Sequence, residues 1–268
     1  MDATAAKGTS TDGDVSYALD GEIALIGLER PEKRNAISDR IVEAIGRAMD
    51  RATAEAKAAV IFGSGTHFCA GLDLGEHAEK PLIDAIQGSR RWHRIFATIE
   101  RGTIPVVSAL HGAVVGGGFE LAASTHIRVA DTTAYFGLPE GTRGIFVGGG
   151  GAVRIANLIG CARMQDMMLT GRTVSAEDME RWGGVSYVVP EGQSVEKAKA
   201  LARRMAENAP MSNYAVLNAL PRIQDMSSED GLFMESLMSS LTTETDEAKS
   251  RLRAFLEKRA GKVERPDG

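Results

Sequence analysis

Two carboxylates lie beside glycine clusters within residues 105–151. Glu120 stands two residues after the glycine triplet 116–118 in an apolar segment, and Glu140 precedes a second cluster at 148–151. Glycine lets a backbone approach a ligand closely and adopt positive φ. A helix that begins at such glycines leaves its first N–H groups free to bind an anion or a polarised oxygen. A carboxylate beside these donors therefore predicts acid–base chemistry on a molecule held there.

A structural explanation competes with this chemistry for either glutamate taken alone. Glycines are common in turns, and most glutamates are solvated at the surface. The apolar residues on both sides of the two carboxylates favour a functional site over that alternative.

The surrounding chain predicts an α/β core that positions the two carboxylates. Residues 105–110 are apolar throughout, which is typical of a strand covered on both faces. The triplet then leads into a helix that runs to about residue 124, and residues 195–260 contain helical patterns without a strand signal. The other predicted elements are a hairpin across Asp20-Gly21 (15–19 and 23–28), helices at 38–56, 83–99, 152–159 and 163–169, and strands at 58–62, 127–130, 134–136 and 185–189.

Composition excludes several classes of protein. The 268-residue chain has a net charge of -5, a pI of about 5.6 and 5% aromatic residues, which argues against nucleic acid as a main partner. The longest apolar run is interrupted by His111, three glycines and Glu120, which argues against a membrane span. We expect a cytoplasmic protein in which Cys69 and Cys161 are buried free thiols.

Motifs for nucleotide cofactors and metals are absent from the sequence. Neither glycine cluster fits a P-loop or G-x-G-x-x-G, and G-x-S-x-G and H-E-x-x-H do not occur. The five histidines lack ligand spacing. We therefore expect no bound metal.

Five segments, in register, resemble the crotonase superfamily, the enoyl-CoA hydratase/isomerase family. The resemblance spans residues 15–258 and is carried by RPEKRNAIS, FCAGLDL, IPVVSALHGAVVGGGFELA, FGLPEGTRGIFVGGGG and AFLEKR. It implies a crotonase-like α/β spiral of ββα units with a C-terminal helical trimerisation region. The expected organisation is a disordered tail (1–14), a core with the acyl-CoA site (15–190) and a helical region (191–268), assembled as a homotrimer or a dimer of trimers.

The resemblance implies hydration of a trans-2-enoyl-CoA to a 3-hydroxyacyl-CoA. Backbone N–H groups of Leu72 and Gly117 would hold the thioester oxygen of an enolate. Glu120 would activate water for attack at Cβ, and Glu140 would deliver a proton to Cα. Enoyl-CoA isomerisation, acyl-CoA hydrolysis, C–C bond cleavage and a non-catalytic acyl-CoA-binding or RNA-binding relative remain as alternatives.

The resemblance also implies a binding site for CoA, and no cofactor other than the CoA of the substrate. The segments that would contact CoA supply Asn35, Ala36, Cys69, Ala70, Gly71, Asp73 and Leu74. Phe255 and Lys258 of a neighbouring subunit would cover its adenine end, although an ordinary amphipathic last helix explains the same residues.

The sequence departs from the family pattern after Glu140. Arg143 stands where the family often has an apolar residue, and Val147 replaces the usual proline. Arg143 and Gly148 are candidate residues of the acyl pocket. Arg143 is either solvated or paired, or it faces the acyl pocket and selects a polar or carboxylated acyl group.

Overall fold

The computed structural model describes residues 7–75, 81–257 and 259. Its first strands form an antiparallel meander of β1 (Lys7–Asp12), β2 (Val15–Asp20) and β3 (Ile23–Leu28). The predicted hairpin across Asp20-Gly21 is confirmed, with Gly21 at φ +64°. The prediction of a disordered tail over residues 1–14 is wrong from Lys7 onward, because residues 7–12 form β1 and pair with β2. Residues 1–6 lie outside the described residues.

The other strands complete a large sheet and a small one. They are β4 (Ala58–Gly63), β5 (Val106–Leu110), β6 (Ala113–Val115), β7 (Ile127–Asp131), β8 (Tyr135–Gly137), β9 (Thr173–Ser175) and β10 (Tyr187–Val189). The described strands of the large sheet run in the order β1-β2-β3-β4-β5-β7-β10, parallel from β3 onward, and those of the small sheet in the order β6-β8-β9.

Helices connect the strands and follow them at the C-terminal end. They are α1 (Asp39–Glu55), α2 (Leu82–Glu100), α3 (Gly117–Ala123), α4 (Gly151–Ile159), α5 (Cys161–Thr170), α6 (Ala176–Trp182), α7 (Ser194–Ala206), α8 (Pro210–Asn218), α9 (Leu220–Ile223), α10 (Ser228–Thr243) and α11 (Asp246–Leu256). The predicted helices and strands are present. Besides β1, three shorter elements were not predicted, namely β6, β9 and α6. These three elements have only three to seven residues, which is too short for a clear periodic pattern.

Strand β5 is covered on both faces, as its sequence predicts. Val106 and Leu110 belong to one buried cluster, and Val107 and Ala109 to another. The alternation follows from the two-residue period of a strand. The first cluster includes side chains of α1, α2 and α3, and the second includes alanines of α7.

Helix α7 belongs to the core and not to the C-terminal region. Ala198, Ala202 and Ala206 follow one another at four-residue spacing, and all three are buried in the second cluster. Their small side chains let the helix approach β4 and β5 closely. The chain accordingly divides into units 1–206 and 207–268, so the predicted boundary after residue 190 lies one helix too early.

The second unit consists of helices α8 to α11 among the described residues. Ser227 caps α10 by accepting from Asp230 N at 3.2 Å, and Thr245 caps α11 by accepting from Ala248 N at 3.2 Å. Several large apolar side chains of α10 remain exposed in this unit, namely Leu232, Phe233, Leu237 and Leu241.

The described part of the chain contains no helix that is both long and apolar enough to cross a membrane. The two cysteines differ in their surroundings. Cys69 is buried as predicted, whereas Cys161, the first residue of α5, is exposed. The prediction of two buried thiols is therefore wrong for Cys161, which starts its helix at the surface.

Candidate active site

Backbone pairing brings two distant glycine segments together. Ile37 pairs with Leu72 and Cys69 pairs with Val114 in isolated parallel bridges. A Cβ built on Gly71, which has φ +96°, would lie 2.8 Å from the Val115 oxygen and 3.6 Å from the Gly117 nitrogen. The segment around Leu72 therefore lies directly against the start of α3, and no side chain fits at Gly71.

The N–H groups of Leu72 and Gly117 have no acceptor among the described residues. The Ile37 backbone bonds to the groups on either side of Leu72, accepting from Asp73 N and donating to Gly71 O, each at 2.8 Å. Gly117 is the first residue of α3, so its N–H has no intrahelical partner. Two free donors on adjacent segments are the arrangement that stabilises an oxyanion.

At each glycine of the triplet, a side chain would approach a different set of neighbouring atoms. Gly116 has φ +51°, and a Cβ there would lie 2.8 Å from Glu140 Oε1. A Cβ on Gly118 would lie 2.4 Å from the Cys69 oxygen, so a side chain there would push two backbone segments apart. A Cβ on Gly117 would be 3.3 Å from both Ile37 Cδ1 and the Trp92 ring.

Glu120 is a buried carboxylate that accepts two backbone hydrogen bonds. It lies in the first turn of α3, and its Oε1 accepts from Gly149 N and Gly151 N, each at 2.8 Å. Burial raises the pKa of the Glu120 carboxyl, whereas these N–H groups and the charge of Arg154 oppose that shift. The hydrogen bonds favour the ionised form, which can act as a base.

Glu140 is a buried carboxyl in contrasting surroundings. It immediately precedes a 3₁₀ turn (Gly141–Arg143), and its Oε2 has no hydrogen-bond partner among the described residues. Burial, and then the charge of Glu120, raise the pKa of Glu140, while the charge of Arg143 lowers it. The environment therefore favours the protonated form, which can act as an acid.

Both glutamates line one cavity with a volume of about 230 Å³, together with Leu72 and Gly117. The sequence did not identify the contributions of α1 and α2 to it. Helix α2 supplies one face of mostly small residues that ends at Trp92, whose Nε1 donates to Asp39 Oδ1 at 2.8 Å. The complete lining is Asp39, Gly71, Leu72, Leu74, Ala85, Gly88, Ser89, Trp92, Gly116, Gly117, Glu120, Glu140, Arg143, Ile145, Phe146, Val147, Gly148 and Gly149.

Side chains from α2 and α4 hold the second glycine cluster in place. Ser89 Oγ donates to Gly148 O at 2.6 Å. Arg154 donates to Gly149 O at 3.0 Å, and its guanidinium also pairs with Glu100 at 3.0 Å. These contacts fix the loop whose N–H groups bind Glu120.

Comparison with known proteins identifies the family of this chain. A family model described as enoyl-CoA hydratase/isomerase matches residues 19–265. The chain belongs to the enoyl-CoA hydratase/isomerase family. The resemblance stated from the sequence is thereby confirmed.

Two of the most similar curated relatives are named as hydratases. Enoyl-CoA hydratase EchA19 of Mycobacterium tuberculosis is 33% identical over 90% of this chain and 92% of its own length. The 2,3-dehydroadipyl-CoA hydratase of Escherichia coli is 32% identical over 88% of this chain and 93% of its own length.

A solved structure of the same family confirms the predicted crotonase fold. The crystal structure of a proposed enoyl-CoA hydratase from Rhodopseudomonas palustris CGA009 superposes with a TM-score of 0.90 at 47% identity. The match covers 92% of this chain and 95% of that one. The likeness therefore includes the core that carries the cavity.

The residues predicted to contact CoA divide into cavity residues and supporting residues. Gly71 and Leu74 line the cavity, and Leu74 is 51% exposed. Cys69 is fully buried, and burial raises the pKa of its thiol to about 12. Ala36 and Ala70 are half-buried beside this segment. For all of these residues, contact with CoA stays a prediction.

Asn35 is fully engaged in shaping the loop before α1. The backbone of Asn35 has φ +54°. Its side-chain Oδ1 accepts from Arg30 N at 2.9 Å, and its Nδ2 donates to the backbone oxygens of Ser64 (2.8 Å) and His67 (2.7 Å). Contact of the Asn35 side chain with CoA would require breaking these bonds, so its contribution to such a site is to hold the backbone.

Asp73 is also engaged within the protein. Its Oδ2 pairs with Arg30 at 2.8 Å and with Lys33 at 3.2 Å, and its Oδ1 accepts from Gly75 N at 3.0 Å. Burial works to raise the pKa of Asp73, but Lys33, the Gly75 N–H and Arg30 hold it below its ordinary value. The ionised carboxylate therefore anchors the segment that presents Leu72.

The last two predicted site residues belong to the second unit. Phe255 is 65% exposed on α11, and Lys258 lies outside the described residues. The predicted contact of this pair with CoA bound to a neighbouring subunit stays a prediction.

Proposed function

We propose that this protein is an enoyl-CoA hydratase that adds water reversibly to a trans-2-enoyl-CoA and forms a 3-hydroxyacyl-CoA. The observation that carries the proposal is the pair of buried glutamates on one cavity, one with two N–H donors and one with a free oxygen. Hydration needs one carboxylate to accept a proton from water and one to give a proton to carbon. Relatives named as hydratases support the same conclusion.

The thioester oxygen would accept hydrogen bonds from the N–H groups of Leu72 and Gly117. Attack at Cβ moves electron density onto this oxygen as the enolate forms. Donors that are already oriented stabilise the developing charge, and removing one such donor typically raises a barrier by ~3–4 kcal/mol. The free N–H groups on adjacent segments support this assignment.

Glu120 would act as the base and Glu140 as the acid. Gly149 and Gly151 engage Glu120 Oε1, so we assign Oε2 to the attacking water. Its oxygen bonds to Cβ while one proton passes to Glu120. As the enolate collapses, Cα takes the proton of Glu140. A net transfer of one proton from Glu120 to Glu140 then restores the starting protonation states of the two carboxyl groups.

The reaction would need no cofactor beyond the CoA carried by the substrate. The base, the acid and the oxyanion donors account for every proton transfer and every developing charge in the step. We expect the rate to be unchanged after treatment of the enzyme with a chelator. The cytoplasmic location expected from the sequence stays a prediction.

The test is incubation with short trans-2-enoyl-CoAs, followed by mass spectrometry of the product. The wild type should give a product heavier by one water, and Glu120→Gln and Glu140→Gln should each lower kcat by about 10²–10⁴-fold. Glu43→Gln is the matched control, because Glu43 lies on α1, pairs with Arg91 at 3.2 Å and does not line the cavity. A product of unchanged mass would indicate isomerisation, and turnover that survives both substitutions would exclude the two-carboxylate mechanism.

A further inference from the structure

Arg143 places a cation in the wall of the cavity, one short turn beyond Glu140. It ends the 3₁₀ turn (Gly141–Arg143), where its backbone N–H donates to Glu140 O at 3.0 Å. The residue is exposed, so its guanidinium is accessible to a ligand. Arg143 is the single basic residue among the described residues that line the cavity.

The described residues offer Arg143 no ion pair or side-chain hydrogen bond. Other arginines near the site are paired, Arg30 with Asp73 and Arg154 with Glu100. The charge of Arg143 also lowers the pKa of Glu140, which works against keeping that carboxyl protonated. A ligand anion bound to Arg143 would offset this effect of its charge on Glu140.

The wall around Arg143 is otherwise apolar. Ile145 and Phe146 line the cavity and are 44% and 69% exposed, and Val147 lies beside them. An apolar wall with one cation fits a ligand that has a hydrocarbon segment and one negative end. Such a pair of features orients a ligand through a charge-assisted hydrogen bond.

We propose that Arg143 binds a terminal carboxylate on the acyl group, so that the preferred substrates are 2-enoyl-CoA thioesters with a second, distal carboxylate. This inference rests on the proposed hydratase function, which fixes the thioester oxygen at Leu72 and Gly117 and the double bond at the two glutamates. The acyl chain beyond Cβ then extends past Glu140 along Ile145 and Phe146. Arg143 contributes specificity and does not touch the reacting atoms.

The phosphates of CoA are the other anions that could reach Arg143. The two sources are distinguished by a pair of substrates that share CoA but differ in the acyl end. A contact with a phosphate would affect both substrates equally, and so would an effect of Arg143 on the acidity of Glu140. A contact with the acyl carboxylate would affect only the substrate that carries it.

The experiment compares kcat/KM for a neutral 2-enoyl-CoA and for a 2-enoyl-CoA of the same chain length with a terminal carboxylate. The wild type should prefer the carboxylated substrate. Arg143→Leu should lower the ratio of the two values about 10- to 100-fold, the range of a charge-assisted hydrogen bond. Arg143→Lys should retain part of the preference because it keeps the charge.

Arg94→Leu provides the matched control, because Arg94 is exposed on α2 and does not line the cavity; its ratio should equal that of the wild type. An unchanged ratio in Arg143→Leu, with either equal losses or no loss for both substrates, would overturn the proposal. Failure of the wild type to hydrate any enoyl-CoA would instead reject the proposed function. The neutral substrate also reports whether each variant is folded.

Discussion

At the scale of single residues, the two glutamates of the site have the same side chain but different surroundings. Glu120 accepts two N–H groups at Oε1, whereas Glu140 Oε2 is buried without a partner among the described residues. Two nearby carboxyl groups in an apolar cavity titrate as a coupled pair. The contrast in hydrogen bonding favours ionisation of Glu120 over ionisation of Glu140.

Glu140→Gln should stabilise the protein in a pH-dependent way. The pKa of Glu140 is raised in the folded state, so the folded protein binds this proton more tightly than the unfolded chain. The free energy of unfolding therefore falls as the pH rises from the ordinary glutamate pKa through the raised one. Because glutamine does not ionise, the Tm of the variant minus that of the wild type should be a few degrees larger near pH ~8 than near pH ~4. A Tm difference that is the same at both pH values in calorimetry would contradict the prediction.

Gly116→Ala should impair catalysis more than folding. The added methyl group would lie 2.8 Å from Glu140 Oε1 at a residue with φ +51°, so it would displace the Glu140 carboxyl, the proposed acid. A shift of about 1 Å in a catalytic group can cost roughly 10²-fold, and we expect a loss of that size in kcat.

Gly137→Ala is the control for this substitution. Its Cβ would make only ordinary contacts, the nearest at 3.6 Å to Thr173 Cγ2, and Gly137 does not line the cavity. Circular dichroism should show that both variants are folded. Equal activity in the two variants would mean that the approach of Gly116 to Glu140 does not position the acid.

The residues that the sequence identified are those with local signals. Glu120 and Glu140 lie beside glycine clusters, which mark them without knowledge of the fold. Trp92 and Asp39 carry no such signal, because they reach the cavity through the packing of α1 against α2. The approach of Gly71 to Gly117 likewise depends on backbone pairing between segments that are distant in sequence.

At the scale of elements, the start of α4 supports the Glu120 carboxylate. The loop before it supplies the N–H groups that bind Glu120, and Arg154, one turn inside α4, holds that loop through Gly149 O. Arg154 is half-buried and is paired with Glu100. It is a positioning residue, because it acts on the chemistry through the loop and through its charge.

Arg154→Met should therefore shift the pH dependence of the reaction. The charge of Arg154 and the loop N–H groups lower the pKa of Glu120. Removing the charge and loosening the loop should therefore raise that pKa. The acidic limb of the kcat/KM profile, which reports deprotonation of the base, should move to higher pH. At neutral pH the rate should fall roughly tenfold, equivalent to about 1.4 kcal/mol.

Arg163→Met is the matched control for Arg154. Arg163 lies on α5, and its guanidinium is 5.2 Å from the centre of the Trp182 ring. It donates to the oxygens of Ile159 and Trp182, and neither of these residues lines the cavity. The acidic limb of this variant should coincide with that of the wild type. A loss of rate in Arg154→Met with no movement of that limb would assign Arg154 a purely structural role.

Elements with strong periodic signals were predicted, whereas some of the shortest were not. Strand β5 and helix α1 have long apolar patterns, and their predicted bounds agree with the structure to within a residue or two. Strands β6 and β9 have three residues each and are defined by pairing with β8. Helix α1 begins at Asp39, one residue after the predicted start at Ser38, and the Ser38 side chain makes no capping hydrogen bond.

At the scale of the whole molecule, the sequence predicted the order of the parts better than their boundary. The composition changes after β10, where the last strand ends, but α7 still packs its alanines on the sheet. Alanine on a charged helix is a weak sequence signal for burial, because it is also the residue most favourable for any helix. The division after Ala206 could therefore be found only from the packing.

Helix α10 carries the prediction about assembly. Phe233, Leu237 and Leu241 lie four residues apart, so they share one face of the helix, and they are 66%, 43% and 53% exposed. Exposed apolar side chains grouped on one face are typical of an interaction surface. We predict that this face contacts a second copy of the chain in a homotrimer or a dimer of trimers.

Leu237→Glu should weaken that assembly, because an interface would have to bury an unpaired charge. Light scattering after size-exclusion chromatography should give the mass of three or six chains for the wild type and a smaller mass for the variant. Ser239→Glu introduces the same charge on the opposite side of α10, at an exposed residue, and should retain the wild-type mass. A wild type that runs as a monomer, or equal masses for all three proteins, would remove α10 from the interface. If Phe255 and Lys258 also cover CoA bound to a neighbouring subunit, dissociation of Leu237→Glu should raise KM for the acyl-CoA together with the loss of mass.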